Sequence, residues 1–271
     1  MQFNNGKFEH LRYNPNNKVR NLFLGTYQAA DKSPIKTVCQ TKDLGVTMSN
    51  SGDFAEHIAE FKVKGKRMSG WILRTFKVRE QLPMITLFKS LVLPILEYCC
   101  IVWSPGALGQ VRELESVQRF YTSKIRNVSN ENYWNRLKLL KLYSLERRRE
   151  RYGIIYTMKV LKGLVPNFSD PFYKIKTYQS QRRGVLCLIP PVQTNASERL
   201  KSLKDETFAV RGPRLFNSLP KNLIDTNLSI NSFKSQLDKW LEGVPDEPGL
   251  GNNYPRVAVS NSIIDQCTQR L

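Results

Sequence analysis

The chain has 271 residues, 41% of them hydrophobic, which is enough for two ordinary domains or for one domain with an extension. Its formal net charge of +19 exceeds what solubility requires and favours a polyanionic partner, with nucleic acid ahead of an acidic membrane surface or an acidic protein. Five cysteines, an odd number with Cys99 and Cys100 adjacent, and only two histidines argue against a disulfide framework and against a zinc site.

The sequence shows no signal for export or for membrane insertion. Its first residues lack the basic start and apolar run of a signal peptide, so we expect an intracellular protein of the nucleus or cytoplasm that is not secreted. The longest apolar stretch, residues 82–103, is interrupted by Lys89, Pro94 and Glu97, which favours a packed helix over a membrane span. We therefore expect no membrane partner.

Residues 1–50 are predicted to form a small β-rich unit. Val19–Tyr27 and Leu44–Thr47 are its strand candidates, because short apolar runs there adjoin glycine. Asp31–Pro34 carries a turn signal between them.

A long amphipathic helix is predicted from Asp53, which can serve as its N-cap. Apolar residues recur every three or four positions and share one face of this helix: Phe54, Ile58, Phe61, Gly65, Met68 and Ile72. Basic residues occupy its flanks and back: Lys62, Lys64, Lys66, Arg67, Arg74 and Lys77. The helix is therefore apolar on one side and cationic on the rest.

Four further helices are predicted before residue 164. The first begins near Leu82, turns Leu87, Leu91 and Ile95 to one face, and is kinked or split at Pro94. The other three are marked by apolar spacing over Val111–Ile125, Trp134–Leu140 and Leu145–Met158. From Arg112 to Lys162, thirteen Lys or Arg and five Glu are interleaved with aromatic residues, which suits phosphate contact with base or sugar stacking.

Order is predicted to weaken after Gly163. Residues 165–200 contain four prolines and little periodicity, and we interpret them as a linker or a loosely packed arm. Residues 201–243 are predicted to form a small unit with a strand at Phe208–Arg211 and a helix at Ser232–Leu241. Residues 244–271 are expected to be disordered. The predicted units are therefore 1–50, 51–164, 165–200, 201–243 and 244–271.

Several short motifs occur together in an order typical of one protein family. They are Leu96-Glu97-Tyr98, Val102-Trp103-Ser104-Pro105, Gln118-Arg119, Leu145-Glu146-Arg147-Arg148-Arg149 and the stretch Phe208–Pro220. Each motif is weak alone, but their order and spacing resemble the region downstream of the polymerase active site in reverse transcriptases of non-LTR retrotransposons of the jockey-like LINE type. The resemblance covers most of residues 1–241. Phe216 departs from it, since tryptophan is usual at that place.

The resemblance implies a fold class and roles for three residues. The class is mainly α (α+β overall), with a β-rich palm remnant, a helical thumb-like bundle and a loosely ordered C-terminal unit. Lys7, in a segment similar to the family's FN..K motif, would protonate the pyrophosphate leaving group, and an exposed terminal lysine is the alternative. Lys42 and Gly45 lie in a segment similar to the LGV turn that positions the primer end, and a plain strand turn is the alternative.

Phosphate contacts are expected from basic residues of the helical region as well. Arg147–Arg149 span about 300° of a helix, so not all three can face one strand, and Glu146 and Glu150 can pair with part of the run. A solvated helical face is the alternative there. Tyr98 and Trp103 are expected to pack between helices. The complete set of expected nucleic-acid-binding residues is Lys42, Gly45, Lys62, Lys64, Lys66, Arg67, Arg119, Arg126, Arg147, Arg148 and Arg149.

The carboxylates that polymerisation requires are missing from the sequence. A two-metal site needs clustered acidic residues, which the family supplies from an upstream motif and an aromatic-x-Asp-Asp hairpin. No Asp-Asp pair occurs here, and Asp31, Asp43 and Asp53 are scattered. We therefore expect no metal site, no cofactor, no small-molecule substrate and no enzyme activity of the chain on its own, with Mg²⁺ belonging only to an intact family polymerase.

The leading hypothesis is a non-catalytic fragment of a retrotransposon-derived RNA-directed DNA polymerase that grips RNA or an RNA/DNA duplex through phosphate contacts. One alternative is an active reverse transcriptase formed when the chain is joined to an upstream polymerase half. A second is a structural protein that docks an acidic partner. A third is a decaying remnant that does not fold stably.

Overall fold

Ten α-helices and three two-stranded sheets are found in the part of the chain that a computed structural model describes, residues 7–13, 27–167, 174–180, 185–191, 198–248 and 260–268. The chain is mainly α within an α+β class, as predicted. The strand candidate Val19–Tyr27 lies outside the described residues except for Tyr27.

The N-terminal β-structure consists of two small sheets. Strands β1 (Glu9–Leu11) and β2 (Lys36–Val38) pair in parallel, and β3 (Gln40–Asp43) and β4 (Val46–Ser49) form an antiparallel hairpin. Leu44 and Gly45 make the two-residue turn with φ values of 44° and 83°, the positive-φ pair that this hairpin turn requires. The predicted strand at Leu44–Thr47 is thus half turn and half strand. The turn predicted at Asp31–Pro34 is confirmed, since the N–H and the hydroxyl of Ser33 donate to the Asp31 carboxylate.

Helix α1 (Ala55–Thr75) confirms the predicted amphipathic helix and its apolar face. Ile58, Phe61, Gly65 and Ile72 are buried. The predicted N-cap is wrong by one residue: Phe54 occupies the N-cap position, and the Asp53 carboxylate before it accepts from the N–H of Ala55 at 3.2 Å. His57 ties α1 to the hairpin, because its Nδ1 accepts from the N–H of Thr47 at 3.1 Å and its ring lies 4.7 Å from that of Trp103. Burial lowers the pKa of His57 to about 4, so the ring is neutral at physiological pH.

The second predicted helix is split into three parts. Helix α2 (Gln81–Leu87) continues into a π-helical segment (Phe88–Val92) and then into α3 (Leu93–Glu97), with Pro94 at the start of α3. The fully buried face consists of Met84, Phe88, Val92 and Leu96, whereas the predicted Leu87, Leu91 and Ile95 are only half-buried. The predicted face is therefore wrong by one position.

Helices α4 (Leu108–Thr122), α5 (Tyr133–Leu140) and α6 (Leu145–Leu161) lie where they were predicted. Asn132 caps α5 and Ser144 caps α6, each by accepting from a backbone N–H three residues later. Trp103 is fully buried beside α1, and its indole N–H donates to the carbonyl of Tyr98 at 2.7 Å. The expectation of packing between helices is confirmed for Trp103 and wrong for Tyr98, which is exposed and lies against the β3–β4 turn.

The predicted linker 165–200 contains regular structure in its described residues. Strands β5 (Lys176–Ser180) and β6 (Val185–Ile189) pair in an antiparallel hairpin, and α7 (Glu198–Asp205) begins before residue 200. Asn217 holds β6 in place, since its side chain both accepts from and donates to the backbone of Leu188 at 2.8 Å. The described residues of this segment are therefore more ordered than the predicted linker or loosely packed arm.

The strand predicted at Phe208–Arg211 is a helix instead, α8 (Phe208–Asn217). Phe208, Gly212, Leu215 and Phe216 have helical spacing and are all buried, and Pro213 does not break the helix. A Cβ on Gly212 would lie 2.9 Å from Thr157 Oγ1 of α6, so glycine permits the close packing of α8 on α6. The predicted helix at Ser232–Leu241 is confirmed as α9 (Ile230–Glu242), after a short 3₁₀ turn at Lys221–Leu223.

The residues after Gly243 were expected to be disordered, and this is wrong for the described residues 244–248 and 260–268. Asp246 accepts from the N–H and the hydroxyl of Ser144, both at 2.7 Å, and Asn261 donates to Ser144 Oγ at 2.9 Å. Helix α10 (Ile263–Thr268) follows, with Ile263 fully buried. These polar contacts fasten both segments to the start of α6.

Two hydrophobic clusters are built on this framework. The first joins α1, the α2–α3 unit, α4 and α5, and the second joins the C-terminal half of α6 with β6, α8, α9 and α10. Helix α6 contributes Leu145 to the first cluster and Ile154 and Met158 to the second. In the described part of the chain, no helix is both long enough and apolar enough to cross a membrane.

Candidate nucleic-acid interface

The N-terminal candidates are exposed but only partly free. Lys7 is exposed at the edge of the described residues. Lys42 donates to Glu60 at 2.8 Å, and the Tyr98 hydroxyl donates to the carbonyl of Leu44 at 2.7 Å. A Cβ on Gly45 would lie 3.2 Å from the Tyr98 ring, so that ring occupies the space over the turn. Gly45 is therefore required by the turn and is covered by an aromatic ring on one side.

Lys62 and Lys64 on α1 have acidic partners. Lys62 pairs with Glu113 of α4 at 3.2 Å, and Lys64 pairs with Glu60 one turn earlier at 2.7 Å. Hydrogen bonds from Lys42 and then Lys64 lower the pKa of Glu60 to about 2, which keeps this carboxylate ionised. The charges of these lysines are thus largely balanced by the protein itself.

The remaining basic residues of α1 face solvent without a carboxylate. Lys66 and Arg67 are exposed, as are Arg74 near the end of α1 and Lys77 just beyond it, and no described acidic residue forms an ion pair with any of the four. The stretch from residue 61 to residue 79 contains seven Lys or Arg and no Asp or Glu. Apart from Lys62 and Lys64, which pair with Glu113 and Glu60, its positive charge is therefore not neutralised by described residues.

An exposed aromatic ring lies among these cations. The side chain of Trp71 is 46% exposed and contacts Phe76 edge to face, with ring centroids 6.1 Å apart. Sequence reasoning missed Trp71, although its position outside the apolar set of α1 could have identified it. We call Lys66, Arg67, Trp71, Arg74 and Lys77 the α1 surface. Lys66 and Arg74 are about 12 Å apart along the helix axis, which is long enough to reach several phosphates of one strand.

Arg119 on α4 and Arg126 in the turn after it are exposed but engaged. Arg119 lies over the ring of Tyr133 at 4.5 Å, and Arg126 pairs with Glu80 at 2.8 Å. Since an exposed ion pair of this kind is weak, the Arg126 side chain can rearrange toward a polyanion.

The three arginines of α6 are engaged inside the protein. Arg147 is fully buried and donates to the carbonyls of Val244, Pro245 and Asn261. Arg149 is 3% exposed, donates to the carbonyls of Leu145 and Leu96, and lies over Trp103. Arg148 pairs with Glu97. The structure therefore separates Arg147 and Arg149 from the surface and does not bring them together with the α1 surface.

The described residues thus define a mainly α chain with an unneutralised cationic surface around an exposed tryptophan on its longest described helix. No group of three or more His, Cys, Asp or Glu side chains in the described ranges is arranged to hold a metal ion. All five cysteines are free thiols. No protein-family model matches the chain, and no curated protein and no solved structure is significantly similar to it.

Proposed function

We propose that the chain is a non-catalytic nucleic-acid-binding part of a reverse transcriptase of the non-LTR retrotransposon type, which grips RNA or an RNA/DNA duplex by phosphate contacts. The observation that carries the proposal is the α1 surface, where four cations that pair with no described acidic residue lie around an exposed tryptophan. The motif order from Leu96 to Pro220 supports the family part of the proposal.

The chemistry of the α1 surface fits a strand with an unpaired base next to its phosphates. Lys and Arg without carboxylate partners release counterions from the phosphate backbone, which supplies affinity without sequence preference. An exposed indole ring offers a face on which a base can stack. We therefore expect binding to be tightest at a junction between a duplex and an unpaired overhang.

Neutralising three cations of the α1 surface is expected to weaken binding and to reduce its dependence on salt. In a Lys66→Gln, Arg67→Gln and Arg74→Gln protein, affinity for an RNA/DNA duplex should fall about tenfold or more at 0.15 M salt, and the slope of log K against log salt should decrease in magnitude by about 2–3. Filter binding over a salt series measures both quantities.

The matched control replaces three exposed lysines elsewhere, Lys36, Lys221 and Lys239, by Gln, which removes the same charge. Its affinity and slope should stay close to those of the wild-type protein. Equal losses in the two variants would indicate attraction by net charge alone, and a slope near zero in the wild-type protein would refute phosphate gripping. Binding of an acidic polypeptide in preference to the duplex would favour the alternative of an acidic protein partner.

Trp71→Ala is expected to weaken binding to a duplex with an unpaired overhang more than binding to a blunt duplex. Loss of one stacked base costs about 1–3 kcal/mol, whereas the salt slope should not change because no charge is removed. Trp71→Phe should retain most of the affinity while losing the quenching of tryptophan fluorescence that bound nucleic acid causes. Equal effects of Trp71→Ala on the overhang and blunt duplexes in a fluorescence titration would argue against base stacking.

A further inference from the structure

A second group of cationic side chains, which shares no residue with the α1 surface, lines a cavity of about 360 Å³ bordered by the π-helical segment, the α5–α6 turn, α6 and α9. Four basic side chains line this cavity: Lys89, Lys141, Arg148 and Arg151. Two tyrosines, Tyr143 and Tyr152, form part of its wall, and Asp238 is its one acidic lining residue. Nothing in the proposed function uses this cavity.

Both lysines of the cavity are placed by irregular backbone. Lys89 lies on the π-helical segment, a kind of turn that is frequent at functional sites, although Pro94 also favours it here. Lys141 follows α5 with φ 51° and ψ 47°, the left-handed conformation that glycine or asparagine usually occupies at a helix end. A lysine at this position costs conformational free energy that glycine would avoid.

The two arginines of the cavity are held in place by carboxylates from other helices. Arg148 donates to Glu97 of α3, with Nη2 to Oε2 at 3.0 Å, and also to the Tyr152 hydroxyl at 3.0 Å. Arg151 donates to Asp238 of α9 through Nε at 2.5 Å and Nη2 at 2.7 Å. The hydrogen bonds among described residues leave Nη1 of both guanidinium groups free. Two guanidinium groups in fixed positions therefore each keep an N–H donor for a ligand.

The charges around the cavity leave an excess of two positive charges. Glu97 and Asp238 balance Arg148 and Arg151, whereas no described acidic residue pairs with Lys89 or Lys141. A phosphodiester carries one negative charge, but a phosphomonoester carries nearly two at neutral pH, since its second pKa is about 6. The excess charge and the fork-shaped donors match a phosphomonoester better than an internal phosphate of a strand.

We propose that this cavity binds a phosphomonoester dianion, as found on a nucleoside monophosphate or on the phosphorylated end of a nucleic-acid strand. Lys89 and Lys141 supply the balancing charge, and Arg148 and Arg151 donate from fixed positions. The tyrosine rings provide a wall for the attached sugar or base. The proposal does not depend on the α1 surface, which can fail its own test independently.

Lys141→Gly separates a binding role of Lys141 from a structural one. Glycine suits the left-handed backbone, so the unfolding midpoint should rise, while affinity for thymidine 5′-monophosphate should fall about tenfold because one charge-assisted contact is lost. Lys89→Met should give a similar loss of affinity, and Lys138→Met on α5 is the control that removes the same charge outside the cavity. Isothermal titration and thermal unfolding measure the two quantities.

Three ligands define the chemical class: thymidine 5′-monophosphate, inorganic phosphate and unphosphorylated thymidine. We expect the first to bind best, the second to compete with it and the third not to bind. Two short oligonucleotides that differ only in a 5′-phosphate or a 5′-hydroxyl are then compared on the Lys66, Arg67 and Arg74 triple variant. The 5′-phosphorylated one should bind better, which would identify a strand end rather than free phosphate as the source of the phosphomonoester. Equal affinity of the wild-type, Lys89→Met and Lys141→Gly proteins, or no binding at about 10 mM ligand, would overturn the proposal.

Discussion

Replacing Arg147 by alanine is expected to lower the free energy of unfolding by about 3–5 kcal/mol, because it removes a fully buried guanidinium group that donates to three backbone carbonyls. The guanidinium donates to the carbonyls of Val244 at 3.2 Å, Pro245 at 2.7 Å and Asn261 at 3.2 Å. Alanine would leave all three acceptors without this donor and would open a cavity beside them. The expected loss therefore has both a polar and a packing component.

Urea denaturation measures this loss, and hydrogen exchange locates it. Protection should decrease first in residues 244–248 and 260–268, since Arg147 joins both segments to α6. Arg126→Ala is the control, because Arg126 is 67% exposed and pairs with an exposed Glu80, a contact worth at most about 1 kcal/mol. A change below about 1 kcal/mol for Arg147→Ala would show that these segments do not depend on the arginine.

The helices that sequence periodicity predicted well are those with one uninterrupted apolar face. In α1, α4 and α9 the buried residues recur with helical spacing along one face, whereas α6 is buried on several sides. Helix α8 was not predicted because the sequence Arg211-Gly212-Pro213 is typical of a helix end. Tertiary packing overrides that local signal, since Gly212 is needed for contact with Thr157 of α6.

The position of the α1 surface could be predicted from the sequence, but its charge balance could be predicted only in part. The pairing of Lys64 with Glu60 follows from their four-residue spacing on one helix. The pairing of Lys62 with Glu113 spans 51 residues and depends on the packing of α1 against α4. Knowing which lysines remain free therefore required the fold.

The arginine run of α6 shows the limit of local reasoning most clearly. Three consecutive arginines are typical of a solvated or phosphate-binding face, yet two of the three are buried. The carbonyls that Arg147 binds are 97 to 114 residues away in sequence. Local periodicity carries no information about such partners, so their discovery required the tertiary structure.

The structure also predicts that stability falls as pH rises toward 8, with Glu150 of α6 as a main cause. Glu150 accepts from the Ser262 hydroxyl at 2.5 Å and from the N–H of Ile263 at 2.9 Å, with Arg147 Nε at 3.9 Å. Burial first, and then the nearby carboxylate of Glu146, raise its pKa to about 8. Burial likewise raises the pKa of Glu115 to about 7, so both groups act in the same direction.

The direction of the pH effect follows from where the proton is held. Between about pH 4.5 and pH 8 the folded protein keeps a proton on Glu150 that the unfolded chain has released, so raising the pH in this window favours unfolding. One proton corresponds to about 1.4 kcal/mol per pH unit, which gives a loss of a few kcal/mol over the window. Two groups act in the opposite direction at lower pH: Glu60, whose pKa is lowered to about 2, and His57, whose pKa is lowered to about 4 and which opposes the effect up to about pH 6.5. The fall in stability is therefore steepest between about pH 6.5 and pH 8.

Glu150→Gln is expected to decrease the slope of the unfolding free energy against pH by the equivalent of about one proton. The variant should also be more stable than the wild-type protein at pH 8. Glutamine resembles the protonated acid and keeps an oxygen that accepts from Ile263. Glu113→Gln, at a carboxylate that is 49% exposed, is the control and should leave the slope unchanged. Urea denaturation at pH 5, 6.5 and 8 gives the slopes, and identical slopes for Glu150→Gln and the wild-type protein would mean that Glu150 is already ionised in the folded state at these pH values.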